Sequence, residues 1–508
     1  MRKATCLVLI VALCTVAAHA GEVWQGQWIE ASSPNFVVTS ALGKSDTTQL
    51  VQELEDFRTL VGAVTNAAEL KERVPTHVLV FKDPVADIGL RGLVSGGFFP
   101  RMRDNYAVAR GTAGGWTRTL QGLGFTLQYD YTVFLIRNQA ARGYPSWYVV
   151  GLAEVLAAAD LHDDRFVLGG PPPGRLQVLS QPGRWLPYSR IIDSSQLSRV
   201  NGHEADLFYS QAWALVHYLS FGKPGLDLPV ALKGYLADLE RGTAPVLAFE
   251  KAFHEDMATL DKTVRRYLKQ ARSTNGTLKH TFDPGGITVR ELASDEVAAR
   301  LAVLSLSLRQ FKPAGKFADA ALAANPDNAA ALVVRADLLK IAGKYPDAEA
   351  LYVKAIELEP DSDLHHLDFG QYWLDRAAGA ADDPARHDYF NKARLEFYKA
   401  DKLNDHNPET LAYYGFSYQL EKANEAKGVA TLEYAHTLLP SNVNITLMLA
   451  QLYVTTDQPI KARPLLQAVS AWGSARQVEF VDKMLADMDK PADTKVPGGT
   501  AGESSAGP

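Results

Sequence analysis

The chain has 508 residues, too many for one hydrophobic core, and its length predicts about two to four domains. Hydrophobic residues make up 47% and charged residues 22%, as in ordinary soluble globular proteins. The formal net charge of −6 gives neither the positive footprint of a nucleic-acid-binding protein nor a general attraction to anionic lipid.

The N-terminus has the pattern of a cleaved export signal. Arg2 and Lys3 form a short basic region, residues 6–17 are an apolar run, and Ala18-His19-Ala20 is the small-x-small pattern that precedes a cleavage site. The apolar run is shorter than the ~20 residues that cross a bilayer, which disfavours a membrane anchor. We expect cleavage after Ala20, a bacterial periplasmic or secreted product, and no stable membrane insertion afterwards.

Both cysteines of the chain, Cys6 and Cys14, lie inside this signal. The chain from Gly21 onwards therefore has neither disulfides nor thiolate metal ligands, and its stability has to come from packing. Loss of Arg2 and Lys3 lowers the net charge by two, to −8.

Residues 21–285 alternate between strand and helix patterns. Strands are predicted at 35–40 and 77–81, and a hairpin at 96–109. An amphipathic helix between the first two strands places apolar side chains at helical spacing, namely Leu50, Leu54, Phe57 and Leu60. Longer helical segments are predicted at 118–142, 146–159, 207–221 and 228–272.

Beyond Leu292 the sequence becomes rich in alanine and leucine and repeats with a period near 34 residues. The clearest unit, 329–362, has small residues where two antiparallel helices approach, large residues between them, and a proline after the second helix. The residues in question are Leu332, Ala336, Leu339, Gly343, Tyr345, Ala348, Tyr352, Ala355 and Pro360. These positions resemble the tetratricopeptide repeat.

About five such units are predicted over 293–480, more than the roughly three that a stable stack needs. Their bounds are 295–328, 329–362, 363–408 with an insertion at 377–388, a fourth unit up to Pro440, and 443–476. A tetratricopeptide array implies a protein or peptide ligand. The tail, 491–508, is rich in Gly, Ser, Ala and Pro and is predicted to be disordered.

The segment 127–154 is the most informative about chemistry. It reads Leu127-Gln128-Tyr129-Asp130-Tyr131-Thr132-Val133 and, further on, Tyr144-Pro145-Ser146-Trp147-Tyr148-Val149-Val150-Gly151-Leu152-Ala153-Glu154. This segment resembles the peptidase MA-like domain of the gluzincin clan, which is often fused to tetratricopeptide repeats. The resemblance covers most of 28–275. It implies an α+β metallopeptidase-like N-terminal domain followed by an all-α tetratricopeptide-repeat solenoid.

In that family, two histidines one helical turn apart and a glutamate of the next helix bind zinc, and the glutamate of the motif activates a water molecule. Here the two histidine positions are Tyr129 and Val133, the general-base position is Asp130, and the third-ligand position is Val150. Valine has no donor atom and neutral tyrosine is a poor ligand. The resemblance therefore implies a pseudopeptidase without catalytic residues, metal or cofactor, in which the surviving Glu154 has a structural role.

Two hypotheses from different classes follow. The first is an exported, non-catalytic protein that binds a protein or peptide through its repeats, with a former cleft that either holds an extended peptide or is closed and only supports the repeats. The second is an exported zinc-dependent hydrolase whose metal site has moved. Its candidate ligands are weak: the lone pairs His203-Glu204 and His254-Glu255, the adjacent His365-His366, and His217, which is more typical of a hydrogen-bonded core histidine.

Overall fold

The structure is a computed structural model that describes residues 23–65, 74–82, 97–110, 123–139, 143–162, 164–181, 185–193, 202–270, 276–279, 286–419, 424–472 and 475–489. The predicted export signal and the predicted disordered tail lie outside these ranges. Within them, no helix combines the length and the apolar character that crossing a membrane requires.

Six strands form one mixed sheet in the order β4-β5-β3-β2-β1-β9. They are β1 Ile29–Ser32, β2 Phe36–Ser40, β3 Thr76–Phe81, β4 Gly97–Pro100, β5 Asn105–Arg110 and β9 Thr288–Glu291. The strand predictions at 35–40 and 77–81 are confirmed, as is the hairpin formed by β4 and β5. The sequence pattern missed β1 and β9, which pair antiparallel with each other. β9 lies between the predicted end of the first domain at 285 and the predicted start of the repeats at 293, and this pairing makes it part of the sheet.

One face of this sheet is covered by two helices, α1 Lys44–Thr65 and α2 Leu123–Gln139, and α3 Ser146–Ala157 packs on α2 in the same hydrophobic core. Successive side chains of a strand point to opposite faces, so Val78 and Val80 of β3 pack on this side. The predicted apolar stripe of α1 is confirmed, since all four of its residues are buried.

The opposite face of the sheet packs against the first helices of the C-terminal region. Leu79 and Phe81 of β3 share a core with α10 Ser294–Ser307 and α11 Phe311–Ala324. Trp24 adds an edge-to-face contact with Phe317 of α11 at a centroid distance of 5.5 Å. Both faces of the sheet are therefore buried. The second face and the first repeat form one continuous hydrophobic core.

Further elements extend the N-terminal region. A three-stranded sheet contains β6 Asp160–His162, β7 Arg165–Leu168 and β8 Gly276–Lys279. The helices are α4 Arg175–Ser180, α5 Tyr188–Ile192, α6 Gly202–His217, α7 Leu228–Glu240, α8 Pro245–Phe253 and α9 Met257–Gln270. A π-helical turn, Tyr218–Gly222, continues α6.

The C-terminal region is a stack of helix pairs that matches the predicted repeat units. The pairs are α10 with α11, α12 Ala329–Ile341 with α13 Tyr345–Leu358, α14 Asp363–Ala378 with α15 Asp383–Leu403, α16 Pro408–Phe416 with α17 Glu425–Leu438, and α18 Val443–Thr455 with α19 Pro459–Trp472. A last helix, α20 Ala475–Met488, packs on α19. The insertion at 377–388 forms the end of α14, the following turn and the start of α15, which is 21 residues long.

The repeat positions have clear physical roles. Ala336, Tyr352 and Ala355 of the clearest unit are fully buried between helices. In the second to fifth units, the side chain of the residue before the first helix accepts a hydrogen bond from a backbone N–H of that helix. The cap fixes the residue at which the loop between units ends and the helix begins. These capping residues are Asn328, Ser362, Asn407 and Asn442.

Candidate functional sites

The residues that resemble the peptidase motif lie where α2 and α3 pack together. Tyr129, Asp130 and Val133 come from α2, while Val150 and Glu154 come from α3. The pKa of Tyr129 is raised far above its ordinary value. Burial is the largest cause, and the neighbouring Tyr209, Glu154 and Asp130 raise this pKa further. Tyr129 therefore lies near the carboxylate of Glu154 as well as that of its neighbour Asp130, and it is a neutral phenol.

Glu154 has an arginine as its partner. Its carboxylate is fully buried and accepts two hydrogen bonds from Arg175, one from Nε at 3.0 Å and one from Nη2 at 2.5 Å. The Arg175 guanidinium lies 5.3 Å from the ring centroid of Tyr209, whose ring packs edge-on against Tyr129 at 6.0 Å. Both carboxylate oxygens of Glu154 are thus held by a guanidinium at the centre of an aromatic and charged cluster.

The donor set at this position does not fit a zinc ion. Val133 is half-buried and Val150 is buried, and neither side chain has an atom that can bind a metal. Asp130 is the remaining carboxylate, and burial raises its pKa to about 6. Within the described ranges, no three His, Cys, Asp or Glu side chains lie close enough together to hold a metal ion.

The histidines that the sequence offered as alternative ligands have other contacts. His217 is buried, and because a carbonyl only accepts, its Nε2 donates to the Gly169 carbonyl oxygen at 3.0 Å. Its Nδ1 then accepts from the Tyr267 hydroxyl at 2.7 Å, so both ring nitrogens are used. His366 lies 2.6 Å from Glu396 through its Nδ1. The His203 side chain lies outside what the structure describes.

The surviving motif residues hold the fold. A Cβ on Gly151 would lie 2.3 Å from the carbonyl oxygen of Ala212 and 2.6 Å from Val216, so α3 packs on α6 only because this residue is glycine. Trp147 is fully buried and contacts the rings of Tyr148, Tyr235, Phe249 and Phe253. These residues therefore position helices instead of ligands.

A second candidate site lies on the first helices of the second, third and fourth repeats. Here α12, α14 and α16 carry one charged cluster, which we call the acidic face; its residues are Asp337, Lys340, Asp368, Asp375 and Glu409. Lys340 bridges two of the carboxylates, Asp337 at 3.0 Å and Asp375 at 3.3 Å. The acidic face thus has four carboxylates and one cation of its own.

The turn between β4 and β5 inserts into the acidic face. Arg103 of this turn donates from Nε to Glu409 at 2.7 Å and lies 2.7 Å from Asp368 through Nη2. Gln371 of α14 also donates to Glu409, at 2.8 Å. The side chains of Arg103, Asp368 and Glu409 are only 12%, 11% and 8% exposed. The guanidinium is therefore enclosed between two repeats.

The residues on either side of Arg103 also contact the repeats. Arg101 donates to the Ser307 hydroxyl of α10 at 2.5 Å, and Met102 is buried with apolar side chains of the fourth and fifth repeats, among them Leu411. Burial opposes the charge of Glu409, but Arg103 outweighs it and lowers the pKa of that carboxyl. Three consecutive turn residues thus bind the array.

Sequence reasoning missed this contact and the Glu154–Arg175 pair. The available signal was a turn with two arginines, Arg101 and Arg103, in a chain of net charge −6. Nothing in the local pattern identified the acidic residues that receive them, since Arg103 and Glu409 are 306 residues apart.

Solved structures that are similar to this chain include tetratricopeptide repeat proteins. A thermophilic TPR protein of Thermus thermophilus is 19% identical over 38% of this chain and 99% of its own, with a TM-score of 0.34. YrrB, described as a TPR protein with an unusual peptide-binding site, is 15% identical over 37% of this chain and 91% of its own, at 0.27. A tetratricopeptide repeat protein from Parabacteroides merdae is 12% identical over 52% of this chain and 93% of its own, at 0.29.

No family model and no curated protein matches the chain. The assignment of the C-terminal region to tetratricopeptide-type repeats rests on its own helix pairs and repeated positions. The resemblance of the sheet region to a peptidase MA-like domain stays a prediction.

Proposed function

We propose that the protein is an exported, non-catalytic scaffold that binds a protein or peptide through its repeat array. This proposal rests on the contact that the turn of residues 101–104 makes with the array. In this molecule the first helices of successive repeats already bind a polypeptide segment, through a charged contact and a buried apolar one. Stacked repeats present such helix faces as extended binding surfaces.

The non-catalytic part of the proposal is supported by the chemistry of the degenerate motif. Two of its four key positions are valines without a donor, and Glu154 is committed to Arg175. We infer that the peptidase-like region is a platform for the repeats, because its sheet shares a core with α10 and α11.

The alternative, a zinc-dependent hydrolase with a relocated site, is tested by metal content. The chain from Gly21 is purified without chelator and its zinc measured by mass spectrometry, beside the variants His203→Gln and His217→Gln. We expect no stoichiometric zinc. Near-stoichiometric zinc that is lost in either variant would instead establish the hydrolase.

Peptide display tests the binding function. The same chain is immobilised and presented with a library of random peptides, and selected peptides are measured in solution. We expect saturable binding of defined sequences. If no peptide is enriched over a blank surface, the array is not a peptide-binding scaffold.

Export is tested by the N-terminus of the product. In a bacterial host, the protein recovered outside the cytoplasm should begin at Gly21 by mass spectrometry. A product that keeps Met1 and remains in the cytoplasm would contradict the proposed signal.

A further inference from the structure

The acidic face is arranged to receive a guanidinium. Asp368 of α14 and Glu409 of α16 belong to neighbouring repeats, and their carboxylates converge on one guanidinium, Asp368 at Nη2 and Glu409 at Nε, at 2.7 Å each. Planar guanidinium matches such a fork of carboxylates better than the point charge of a lysine does. Within the described ranges, the cation next to Asp368 is Arg103.

The acidic face remains negatively charged even with the turn in place. Arg103 and Lys340 supply two positive charges against the four carboxylates of Asp337, Asp368, Asp375 and Glu409. A further positively charged segment is therefore attracted to this surface instead of being repelled.

The turn is held in a way that permits exchange. Among the described residues, the backbone hydrogen bonds outside regular elements include none that joins 101–104 to the repeats. The contacts of the turn with the array are made by side chains, and β4 is a four-residue strand at the edge of the sheet. Withdrawal of the turn would take Met102 out of the core of the fourth and fifth repeats, whereas Leu79 and Phe81 of β3 would keep the core that they share with α10.

From these observations we propose that the acidic face is an arginine-binding site and that the β4–β5 turn occupies it in cis. The partner of the array, whose existence rests on the function proposed above, is then a protein segment with an exposed arginine that displaces Arg103. Exchange of one guanidinium for another returns Arg103 to water and desolvates the incoming arginine, so the two desolvation costs of this ion pair nearly cancel, and the lost burial of Met102 has to be offset by other contacts of the partner. The turn has the advantage of being tethered, which corresponds to an effective concentration on the order of millimolar for a short linker.

The probe for the test is a fluorescein-labelled peptide with the sequence of residues 97–106 of this chain. Its binding is measured by fluorescence anisotropy to the wild-type chain from Gly21 and to the variant Arg103→Ala. Because the turn of the variant no longer competes for the site, we expect at least about tenfold tighter binding to Arg103→Ala. A peptide carrying Arg103→Ala itself should not bind to either protein.

Two double variants locate the binding. Arg103→Ala combined with Glu409→Gln should lose the gain, while Arg103→Ala combined with Glu425→Gln should keep it. Glu425 is the matched control because it is an exposed glutamate at the start of α17, the second helix of the same repeat. Equal binding by wild type and Arg103→Ala, or an unchanged gain with Glu409→Gln, would overturn the proposal.

Hydrogen exchange of the wild-type chain gives a second measurement that needs no folded variant. With unlabelled probe at millimolar concentration, the amides of Phe98 and Phe99, which lie in the edge strand β4 and pair with β5, should exchange faster as the turn leaves the repeats and β4 loosens. Unchanged exchange overturns the proposal, whether or not the probe binds elsewhere. If display-selected peptides bind the wild-type chain and Glu409→Gln equally well, the arginine site is refuted but the scaffold function is not. If the display experiment enriches no peptide, the scaffold function itself is refuted.

Discussion

Replacement of Arg175 by methionine tests whether the guanidinium is the counter-ion of Glu154. The substitution keeps a long apolar side chain and removes the charge, so it leaves a buried carboxylate with no cation. Removing one partner of a buried ion pair costs roughly 3–5 kcal/mol. The Glu154 side chain is 1% exposed and that of Arg175 is 19% exposed, and water at the arginine places the expected loss near the lower end, about 3 kcal/mol.

The loss should depend on pH in a defined direction. Burial raises the pKa of Glu154 and Arg175 opposes that rise, so Arg175→Met raises this pKa further. A carboxyl whose pKa is higher in the folded than in the unfolded state destabilises the fold increasingly as the pH rises above the unfolded pKa, and the destabilisation is complete above the folded pKa. The destabilisation by Arg175→Met should therefore be largest at neutral pH and shrink in acid, where Glu154 is protonated.

Urea unfolding followed by tryptophan fluorescence measures this effect, because Trp147 and Trp213 are buried in the same region. Arg165→Met is the matched control, since Arg165 pairs with Asp164 at the surface, where the two side chains are 45% and 73% exposed. Its effect should stay below about 0.5 kcal/mol. Adding Glu154→Gln to Arg175→Met should recover much of the loss. A single variant as stable as the control, or no recovery in the double variant, would refute the pairing.

Three further substitutions test separate features by the same unfolding assay. Gly151→Ala should lower the free energy of unfolding by about 1–3 kcal/mol or more, because its Cβ meets the backbone of Ala212. At Gly234 a Cβ meets nothing within 4 Å, so Gly234→Ala should leave the free energy of unfolding unchanged or raise it. Asn407→Ala removes the cap of α16 and should cost about 1 kcal/mol, and an unchanged stability would contradict the capping role. Asp130→Asn should stabilise the protein at neutral pH, because burial raises the pKa of this carboxyl to about 6. This gain should shrink as the pH falls below about 6 and vanish below about pH 3, where the carboxyl is protonated in both the folded and the unfolded state, and a pH-independent gain would refute the desolvation.

The predicted elements and the observed ones agree where the pattern is local. The strand at 77–81 and the apolar stripe of α1 were readable because alternation and helical spacing express burial along a continuous segment. The missed strands β1 and β9 are four residues each, and they are too short to carry a distinctive alternation. They are strands because each is paired with another part of the sheet.

The candidate sites could be predicted only in part, because a sequence pattern expresses local contacts and not contacts between distant segments. The family resemblance implied that Tyr129, Asp130 and Glu154 lie on two adjacent helices, and the residue types alone excluded zinc binding in the manner of that family. That Arg175 holds Glu154 was not readable, because a charge pair depends on how α3 and the segment after β7 are packed in three dimensions.

The amino-acid sequence by itself determined the longer helices, four of the nine described strands, the repeat period and the lack of donor atoms at Val133 and Val150, because each depends on residue chemistry and on neighbours within a few turns. The tertiary structure decided which surfaces of these elements meet. It joined the sheet to the first repeat through residues of β3 and α10, and it seated Arg103 between Asp368 and Glu409. Such contacts connect residues hundreds of positions apart, and their energy arises from desolvation and geometry that exist only once the chain is folded.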